Sequence, residues 1–280
     1  MQFKQITIIG VGLIGGSIGL AVKKRHLAVR IIGVTAHRST LKKALKRQAI
    51  DSGTLDVRKS VLDTDMVILA TPVDKILSTL EIIKPYLKKG CIVIDVASVK
   101  GVIVRAAERI TGRNAYFVGA HPMAGLEQRG IDKADCDLFK NVPCILTPTS
   151  RTNTKALRAI FNFWKAMDSK VYILSPSEHD RHVSNISHLP HIVASTLSLS
   201  ARPSSLKFAS GGFKDTTRIA SSDLELWIPI LMSNRKNIIL DLEDYLNGLK
   251  DIRNSIAHGD KVKLKKLLWR AKRKRDMLDS

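Results

Sequence analysis

Short apolar runs alternate with segments of helical periodicity through the first 174 residues of the chain. Each run is short enough for one buried β-strand and ends at a glycine, a proline or a polar residue. The runs lie at residues 6–9, 29–34, 65–70, 91–94, 116–118, 142–146 and 170–174. Residues 73–87, between the third and fourth runs, repeat apolar side chains at helical spacing. This alternation predicts an α/β fold with a doubly wound, mostly parallel sheet.

The strand pattern disappears after Pro176, and the rest of the chain has the pattern of helices. Residues 178–200 predict one helix, which Pro190 should kink because proline has no backbone N–H to donate. Long helical segments follow at about 223–256 and 261–277. We therefore predict two domains, residues 1–174 with the sheet and residues 175–280 as an all-helical substrate-binding and dimerisation domain. The apolar positions of the second domain would serve as its core or as the seam of a homodimer.

The composition is that of a globular protein, with 44% hydrophobic residues and a mean hydropathy near zero. No apolar run approaches the ~20 residues that span a bilayer. No basic stretch leads into an apolar one before the first strand, which disfavours a secretory signal. The cysteines, Cys91, Cys136 and Cys144, lack the spacing of metal ligands. We expect them to be reduced thiols in a cytoplasmic protein.

The balance of charges is strongly basic, with 46 Lys and Arg against 25 Asp and Glu, a formal net charge of +21. Such a charge is compatible with nucleic-acid binding. The excess is spread over helical segments, however, and aromatic residues amount to only 5% of the chain, with no interleaved aromatic and basic positions. We therefore favour a solvated basic surface over a nucleic-acid site. We expect this charge to attract anionic small molecules.

Three glycines directly follow the first strand and precede a helix-compatible segment. Gly10, Gly12 and Gly15 have the spacing of the dinucleotide-binding fingerprint. In that motif they allow a tight turn, a close approach of the backbone to a pyrophosphate, and close packing of helix on strand. The helix start at Leu13 and Ile14 would offer free N–H groups to the phosphates. The first domain is therefore predicted to be a Rossmann-type NAD(P)-binding domain.

The residues that follow the second strand predict which of the two nicotinamide cofactors is bound. An acidic residue is expected near Thr35 in NAD-binding proteins, but residues 35–40 contain no carboxylate. His37, Arg38 and Ser39 stand there instead, and a guanidinium and hydroxyls suit a ribose phosphate. We therefore expect NADP to be preferred over NAD. The alternative is that Arg38 only begins the next helix. Thr71 and Pro72, which end the third strand, complete the predicted cofactor site.

A histidine follows the fifth predicted strand. Pro122 should end the pairing of that strand and hold His121 in extended geometry. A residue just past the carboxyl end of a strand in an open parallel sheet faces the side where ligands bind. Because imidazole exchanges protons near neutral pH, His121 is a candidate acid–base group. The alternative is a loop histidine without a function.

The helical half contains two further groups of polar residues. His188 and His191 are three residues apart, hence near one helix face. No cysteine or carboxylate cluster accompanies them, which disfavours a zinc site. Gly211, Asp215 and Arg218 form a second group, in which the arginine suits bidentate binding of a carboxylate. The alternative for this group is a capped loop with a structural Asp–Arg pair.

With these segments in order, the chain closely resembles the prephenate/arogenate dehydrogenase family of tyrosine biosynthesis over nearly all of its length. The similar segments are residues 10–17, 95–100, 121–127, 179–180, 187–191, 211–220 and 223–227. The resemblance implies an NAD(P)-dependent oxidoreductase that removes a hydride from the ring carbon bearing the hydroxyl of a cyclohexadienol. The hydroxyl loses its proton, carbon dioxide departs and the ring becomes aromatic.

The resemblance also implies roles for individual residues. His121 matches a histidine that accepts the proton of the ring hydroxyl, which requires neutral imidazole and hence a pH near or above ~6.5. Ser98 matches a serine that bonds this histidine and the hydroxyl. Arg218 and His191 match groups that hold the carboxylates. The other predicted substrate-site residues are Gly211, Asp215, Glu127, Trp227 and His188, some of which would reach the pocket from the partner subunit of a helix-swapped dimer.

Members of the family act on prephenate or on arogenate, which has an amino group in place of the side-chain keto oxygen. Residues 35–40 are similar to NADP-using, arogenate-preferring relatives, whereas His191 at the end of residues 187–191 is similar to prephenate users. We expect prephenate. Another oxidoreductase with a helical second domain should present a lysine or tyrosine donor instead. A basic nucleic-acid-binding protein would leave the glycine loop unexplained.

Overall fold

The computed structural model describes residues 2–124 and 130–278. Contacts divide the chain into two compact units, Met1–Asn234 and Arg235–Ser280. The first unit contains the sheet with its surrounding helices, and the second is helical. The boundary predicted between residues 174 and 175 lies inside the first unit, because several helices that follow the last strand contact the sheet or its helices.

Eight strands form one sheet in the first unit, in the order β3-β2-β1-β4-β5-β6-β7-β8. The strands are β1 (Phe3–Ile9), β2 (Ala28–Val34), β3 (Ser52–Thr54), β4 (Met66–Leu69), β5 (Cys91–Asp95), β6 (Ala115–Pro122), β7 (Pro143–Thr147) and β8 (Lys170–Ile173). The first six strands run parallel, β7 is antiparallel to β6, and β8 is parallel to β7. The predicted doubly wound, mostly parallel sheet is confirmed.

Helices cover both faces of the sheet within the first unit, and helices also form the second unit. They are α1 (Leu13–Lys24), α2 (Arg38–Lys46), α3 (Val57–Ser60), α4 (Val73–Ile83), α5 (Gly101–Thr111), α6 (Thr154–Lys165), α7 (Pro176–Val183), α8 (Leu189–Ser200), α9 (Gly211–Thr217), α10 (Leu224–Ser233), α11 (Arg235–Ala257) and α12 (Lys261–Asp276). Two clusters of buried apolar side chains hold the first unit together. No helix in the described part of the chain is long and apolar enough to cross a membrane.

The long helices predicted in the second half are interrupted. Residues 178–200 form α7 and α8, separated by a π-helical turn at Ser184–His188. The wider turn ends two residues before Pro190, which cannot make the i→i−4 hydrogen bond of a continuous helix. The segment predicted at 223–256 breaks at Asn234, where α10 ends before α11 begins.

Strand β6 is longer than its sequence pattern predicted. The expectation that Pro122 ends the pairing just after the apolar run was wrong, because the antiparallel strand β7 pairs with both His121 and Pro122. The parallel neighbour β5, by contrast, pairs with β6 only as far as Gly119. His121 therefore lies beyond the carboxyl end of the parallel part of the sheet, the edge at which open α/β sheets bind ligands.

Candidate active site

The glycine loop after β1 has the geometry that a dinucleotide requires. Gly10 has a φ of +97°, and a Cβ there would collide with the carbonyl oxygen of Ala70. A Cβ at Gly15 would collide with the carbonyl oxygen of Gly10, so the third glycine permits close helix–strand packing. At Gly12, by contrast, a Cβ would have no neighbour within 4 Å among the described residues. This open position leaves room for a phosphate to approach the backbone.

Helix α1 begins directly after Gly12, so the backbone N–H groups of Leu13 and Ile14 belong to its unpaired first turn. This turn contains no acidic side chain. The positive end of the helix dipole therefore lies beside the open position, an arrangement that fits the pyrophosphate of a dinucleotide.

The residues predicted to select the cofactor form the turn between β2 and α2. Thr35 is buried and its hydroxyl donates to the carbonyl oxygen of His37 at 2.8 Å, so this hydroxyl stabilises the turn. Arg38 and Ser39 are exposed in the first turn of α2. The backbone N–H of Gly10 donates to the carbonyl oxygen of Val34 at 2.9 Å, which fixes this turn beside the glycine loop.

Thr71 and Pro72 lie at the end of β4, on the other side of Gly10. Pro72 precedes the first residue of α4. The hydroxyl oxygen of Thr71 is buried and has no hydrogen-bond partner among the described residues. A buried hydroxyl without a partner is costly, so this atom is a candidate for a hydrogen bond to a bound cofactor.

His121 belongs to a chain of three buried side chains. Nδ1 of His121 lies 2.8 Å from Nε2 of His179, whose Nδ1 lies 2.8 Å from Oδ1 of Asp180. His179 and Asp180 are adjacent residues of α7. Because an ionised carboxylate only accepts hydrogen bonds, His179 donates through Nδ1, and its Nε2 accepts from Nδ1 of His121. Nε2 of His121 is therefore the unprotonated nitrogen, and no described residue hydrogen-bonds it.

The start of α5 keeps Asp180 ionised. Oδ1 of Asp180 accepts the backbone N–H of Lys100 at 2.8 Å, and Oδ2 accepts that of Gly101 at 2.7 Å. Burial alone would raise the pKa of Asp180, but the hydrogen bonds from His179 and from these two N–H groups outweigh it and lower the pKa. The carboxylate can therefore orient His179 over the whole neutral range.

His121 is kept neutral by its surroundings. Burial lowers its pKa well below 6.5, and the nearby His179, Lys100 and His188 act in the same direction. The ring is only 7% exposed. Since the neutral form is the one that accepts a proton, the site can function as a base at lower pH than a solvated histidine.

Ser98, which the resemblance places against the histidine, lies in the turn between β5 and α5. Within the described residues it makes no hydrogen bond to His121, and His179 instead fixes the tautomer of His121. The contacts predicted for Ser98 with His121 and with a substrate hydroxyl stay predictions.

A second cluster brings together three of the predicted substrate-site residues. Trp227 of α10 stacks on His191 of α8 with ring centroids 3.7 Å apart and an interplanar angle of 6°. The same indole meets the ring of His188 edge-on at 6.0 Å. Nδ1 of His191 is buried without a hydrogen-bond partner in the described part of the chain, and burial lowers its pKa. His191 is thus a neutral hydrogen-bonding group near neutral pH, not a cation.

Three of the remaining residues predicted for the substrate site lie in the described part of the chain. Gly211 and Asp215 lie on α9 and Arg218 directly follows it, all three exposed in the single chain. Among the described residues, no hydrogen bond or ion pair joins them to His121. Glu127 lies outside the described residues. Whether these groups line the pocket stays a prediction.

The sequence interpretation missed the roles of His179 and Asp180, although it noted the pair. A histidine and a carboxylate in adjacent positions near the start of a helix resemble an ordinary solvated helix end. Only the tertiary structure brings them to His121, 58 residues away.

Within the described residues, one group of potential metal ligands occurs away from this site. Side-chain atoms of Asp135, Cys136 and Asp137 lie within 4.8 Å of one another. The carboxylate of Asp137 is bound by Lys24 at 2.5 Å and by Arg25 at 3.2 Å. We therefore interpret the group as a structural ion-pair cluster.

Comparisons with known proteins agree with this geometry. Residues 18–174 match the sequence model of the prephenate dehydrogenase nucleotide-binding domain, and residues 175–270 match that of the prephenate dehydrogenase dimerization domain. The chain is 37% identical to a prephenate dehydrogenase of Bacillus subtilis over 98% of this chain and 76% of that protein.

Several solved structures are similar over almost the whole chain, and two of them illustrate the match. One is prephenate dehydrogenase from A. aeolicus in complex with hydroxyphenyl propionate and NAD+, with a TM-score of 0.92 and 31% identity over 99% of both chains. The other is arogenate dehydrogenase from Synechocystis, with a TM-score of 0.84 and 33% identity over 98% of this chain and 99% of that one. Together with the matches to both domains, these similarities show that the chain belongs to the prephenate dehydrogenase family.

Proposed function

We propose that the chain catalyses the oxidative decarboxylation of prephenate to 4-hydroxyphenylpyruvate, with hydride transfer to NADP or NAD, as a step of tyrosine biosynthesis. The observation that carries this proposal is the unprotonated Nε2 of His121 at the carboxyl edge of the parallel strands. This edge is also where the glycine loop offers its open position. A base and a hydride acceptor at the same edge are what the reaction requires.

The proton of the ring hydroxyl is accepted by Nε2 of His121. The positive charge that develops on this ring is compensated through His179 by the carboxylate of Asp180. The open position at Gly12 and the first turn of α1 would hold the cofactor, whose nicotinamide would supply the hydride acceptor for the carbon that bears the hydroxyl. Loss of the ring carboxylate as carbon dioxide then yields the aromatic product. The low exposure of His121 limits the access of water to the proton acceptor.

The other predicted residues would bind and orient the substrate. We propose that Ser98 bonds the ring hydroxyl and that Arg218 pairs with one carboxylate as a permanent cation. His191, held by Trp227 and neutral near pH 7, would donate a hydrogen bond to the other end of the substrate. Asp215, Gly211, His188 and Glu127 complete the proposed site. Residues 1–174 would carry the cofactor and residues 175–280 the substrate and dimer contacts.

Arogenate is the alternative substrate, and it would give tyrosine directly. A four-way comparison of rates, prephenate or arogenate with NAD or NADP, distinguishes these cases. The proposal predicts the highest kcat/KM for prephenate with NADP. A higher kcat/KM for arogenate would assign the enzyme to the arogenate dehydrogenases, and no activity in any of the four reactions would refute the proposed function.

The preference for NADP is supported by the absence of a carboxylate beside the exposed Arg38. Arg38→Ala should therefore raise the KM for NADP much more than the KM for NAD, because only NADP has a phosphate on the ribose. Thr35→Asp should shift the preference towards NAD. Steady-state kinetics with both cofactors measures this, and equal losses with both would contradict the assignment of Arg38.

A homodimer is supported by the match to a dimerization domain and by apolar side chains exposed in the single chain. Leu199 and Phe208 are 86% and 76% exposed. Large exposed apolar side chains in a helical domain indicate a protein interface. Sedimentation at micromolar concentration should give a mass near twice 31.0 kDa. A fully active monomer would contradict the dimer and any contribution from a partner subunit.

The pH dependence of stability follows from the buried histidines. Burial lowers the pKa of His121 and of His179 in the folded chain. Below about pH 6.5 the unfolded chain binds protons that the folded chain does not, so stability falls as pH falls, by up to about 1.4 kcal/mol per pH unit for each such histidine. Urea unfolding between pH 8 and pH 5 measures this slope, which should be smaller in His121→Asn. An equal slope in both proteins would contradict the burial of a neutral ring.

The proposed compartment is the cytoplasm, supported by three free cysteines. The net charge of +21 would favour encounter with a dianionic substrate and a phosphorylated cofactor. We propose no role in nucleic-acid binding.

A further inference from the structure

An ion pair lies buried near the carboxyl edge of the parallel strands, and the mechanism above gives it no role. Nζ of Lys100 bonds Oδ2 of Asp95, and both side chains are 0% exposed. Burying two charges costs several kcal/mol of desolvation, and an apolar pair of the same volume is often as stable. The position of this pair in the site therefore suggests a function other than stability.

The pair closes the turn that carries Ser98. Oδ2 of Asp95, the last residue of β5, also accepts the backbone N–H of Ala97 at 3.1 Å. At the other end of the turn, the backbone N–H of Lys100 donates to Asp180 at 2.8 Å. Both ends of residues 95–100 are thus fixed, and Ser98 lies in the middle.

The side chain of Lys100 is confined by the neighbouring strand. A Cβ at Gly119 of β6 would lie 3.3 Å from Cδ of Lys100 and would collide with the hydroxyl of Thr147 of β7. The lysine stem therefore passes Gly119, two residues before His121. The absence of a side chain at Gly119 leaves room for this stem, and the lysine side chain is fully buried.

The charged and titratable groups around His121 come from five elements. They are His179 and Asp180 of α7, His188 of the π-helical turn, Lys100 before α5, Asp95 of β5 and Cys144 of β7. Burial and the positive charge of Lys100 both lower the pKa of His121. Burial also lowers the pKa of His179, and the carboxylates of Asp180 and Asp95 only partly oppose this shift. Lys100 is the ammonium of this set that acts on the proton acceptor; burial lowers the pKa of Lys100, and the charge and hydrogen bond of Asp95 oppose this shift.

We propose that Lys100 is a positioning residue of the reaction, whose buried ammonium fixes the Ser98 turn through Asp95 and disfavours a positive charge on His121. The proposal rests on the function proposed for His121. Lys100 touches neither substrate nor cofactor in this account. It acts through the shape of the turn and through its charge.

The test is the pH profile of kcat/KM. The double variant Asp95→Asn, Lys100→Met removes both charges, so neither is left buried alone. The double variant should move the acid limb, which is the fall of kcat/KM at low pH, to higher pH by about one unit. The reason is that His121 then protonates more easily. At a pH within the limb, activity relative to the plateau should fall about tenfold. Lys100→Gln, which keeps a hydrogen-bond donor for Asp95, serves as a second variant and should shift the limb in the same direction.

Lys88→Met is the matched control. Lys88 pairs with Asp65 beside the opposite end of β5, and both side chains are partly exposed. This variant should leave the acid limb in place even if it lowers the melting temperature. An unshifted limb in a folded Lys100 variant would overturn the proposal. The variant His121→Asn tests the role of His121 separately from that of Lys100. If the acid limb disappears in His121→Asn but is unshifted in the Lys100 variants, only the role of Lys100 is refuted.

Discussion

Replacing His121 with asparagine should lower kcat by about 100- to 10,000-fold, the usual contribution of general-base catalysis. The KM for the substrate should change little, because asparagine is of similar size and can still hydrogen-bond a hydroxyl. The proton acceptor is Nε2 of His121, because Nδ1 is hydrogen-bonded to His179. Steady-state kinetics at several pH values measures both the loss of turnover and the loss of the acid limb.

His26→Asn is a suitable control for this variant. His26 is exposed and has a φ of +52°, a backbone conformation that asparagine tolerates well. The control should keep wild-type kcat and the wild-type pH profile. Near-normal turnover in His121→Asn, or an acid limb that persists in it, would show that His121 is not the proton acceptor.

Replacing Arg218 with alanine should mainly raise the KM for the substrate. The lost contact is a charge-assisted hydrogen bond to a carboxylate that is present in the ground state and the transition state alike. Its loss should cost on the order of 2–4 kcal/mol, which corresponds to about 30- to 1,000-fold in KM. Arg202→Ala removes another exposed arginine from the same unit and should have little effect. A fall in kcat with unchanged KM would contradict a binding role for Arg218.

The sheet and the glycine loop could be predicted because their signals are local. A strand such as residues 66–69 is a continuous apolar run, and Gly10, Gly12 and Gly15 are defined by spacing alone. The predictions that were wrong concern elements whose pairing partners lie far away in the sequence. Strand β6 continues through Pro122 because β7, about 25 residues later in the chain, pairs with it. Nothing within residues 116–122 indicates that partner.

The same reason explains what was missed in the site. His121 was found from its position after an apolar run, but the side chain that fixes its tautomer comes from α7. The sequence interpretation assigned that role to Ser98, which is on a neighbouring turn. The burial of Lys100 was also not predictable, because a lysine before a helix is most often solvated. Only the closing of the turn by Asp95 places it inside the molecule.

The most direct test of the central claim is the stoichiometry of the reaction with prephenate. The purified chain, incubated with prephenate and NADP or NAD, should release carbon dioxide, 4-hydroxyphenylpyruvate and reduced nicotinamide in equal amounts. His121→Asn should form all three much more slowly and in the same ratio. Reduced nicotinamide without carbon dioxide, or no reduction with either cofactor, would contradict the assignment of this chain to the oxidative decarboxylation of prephenate.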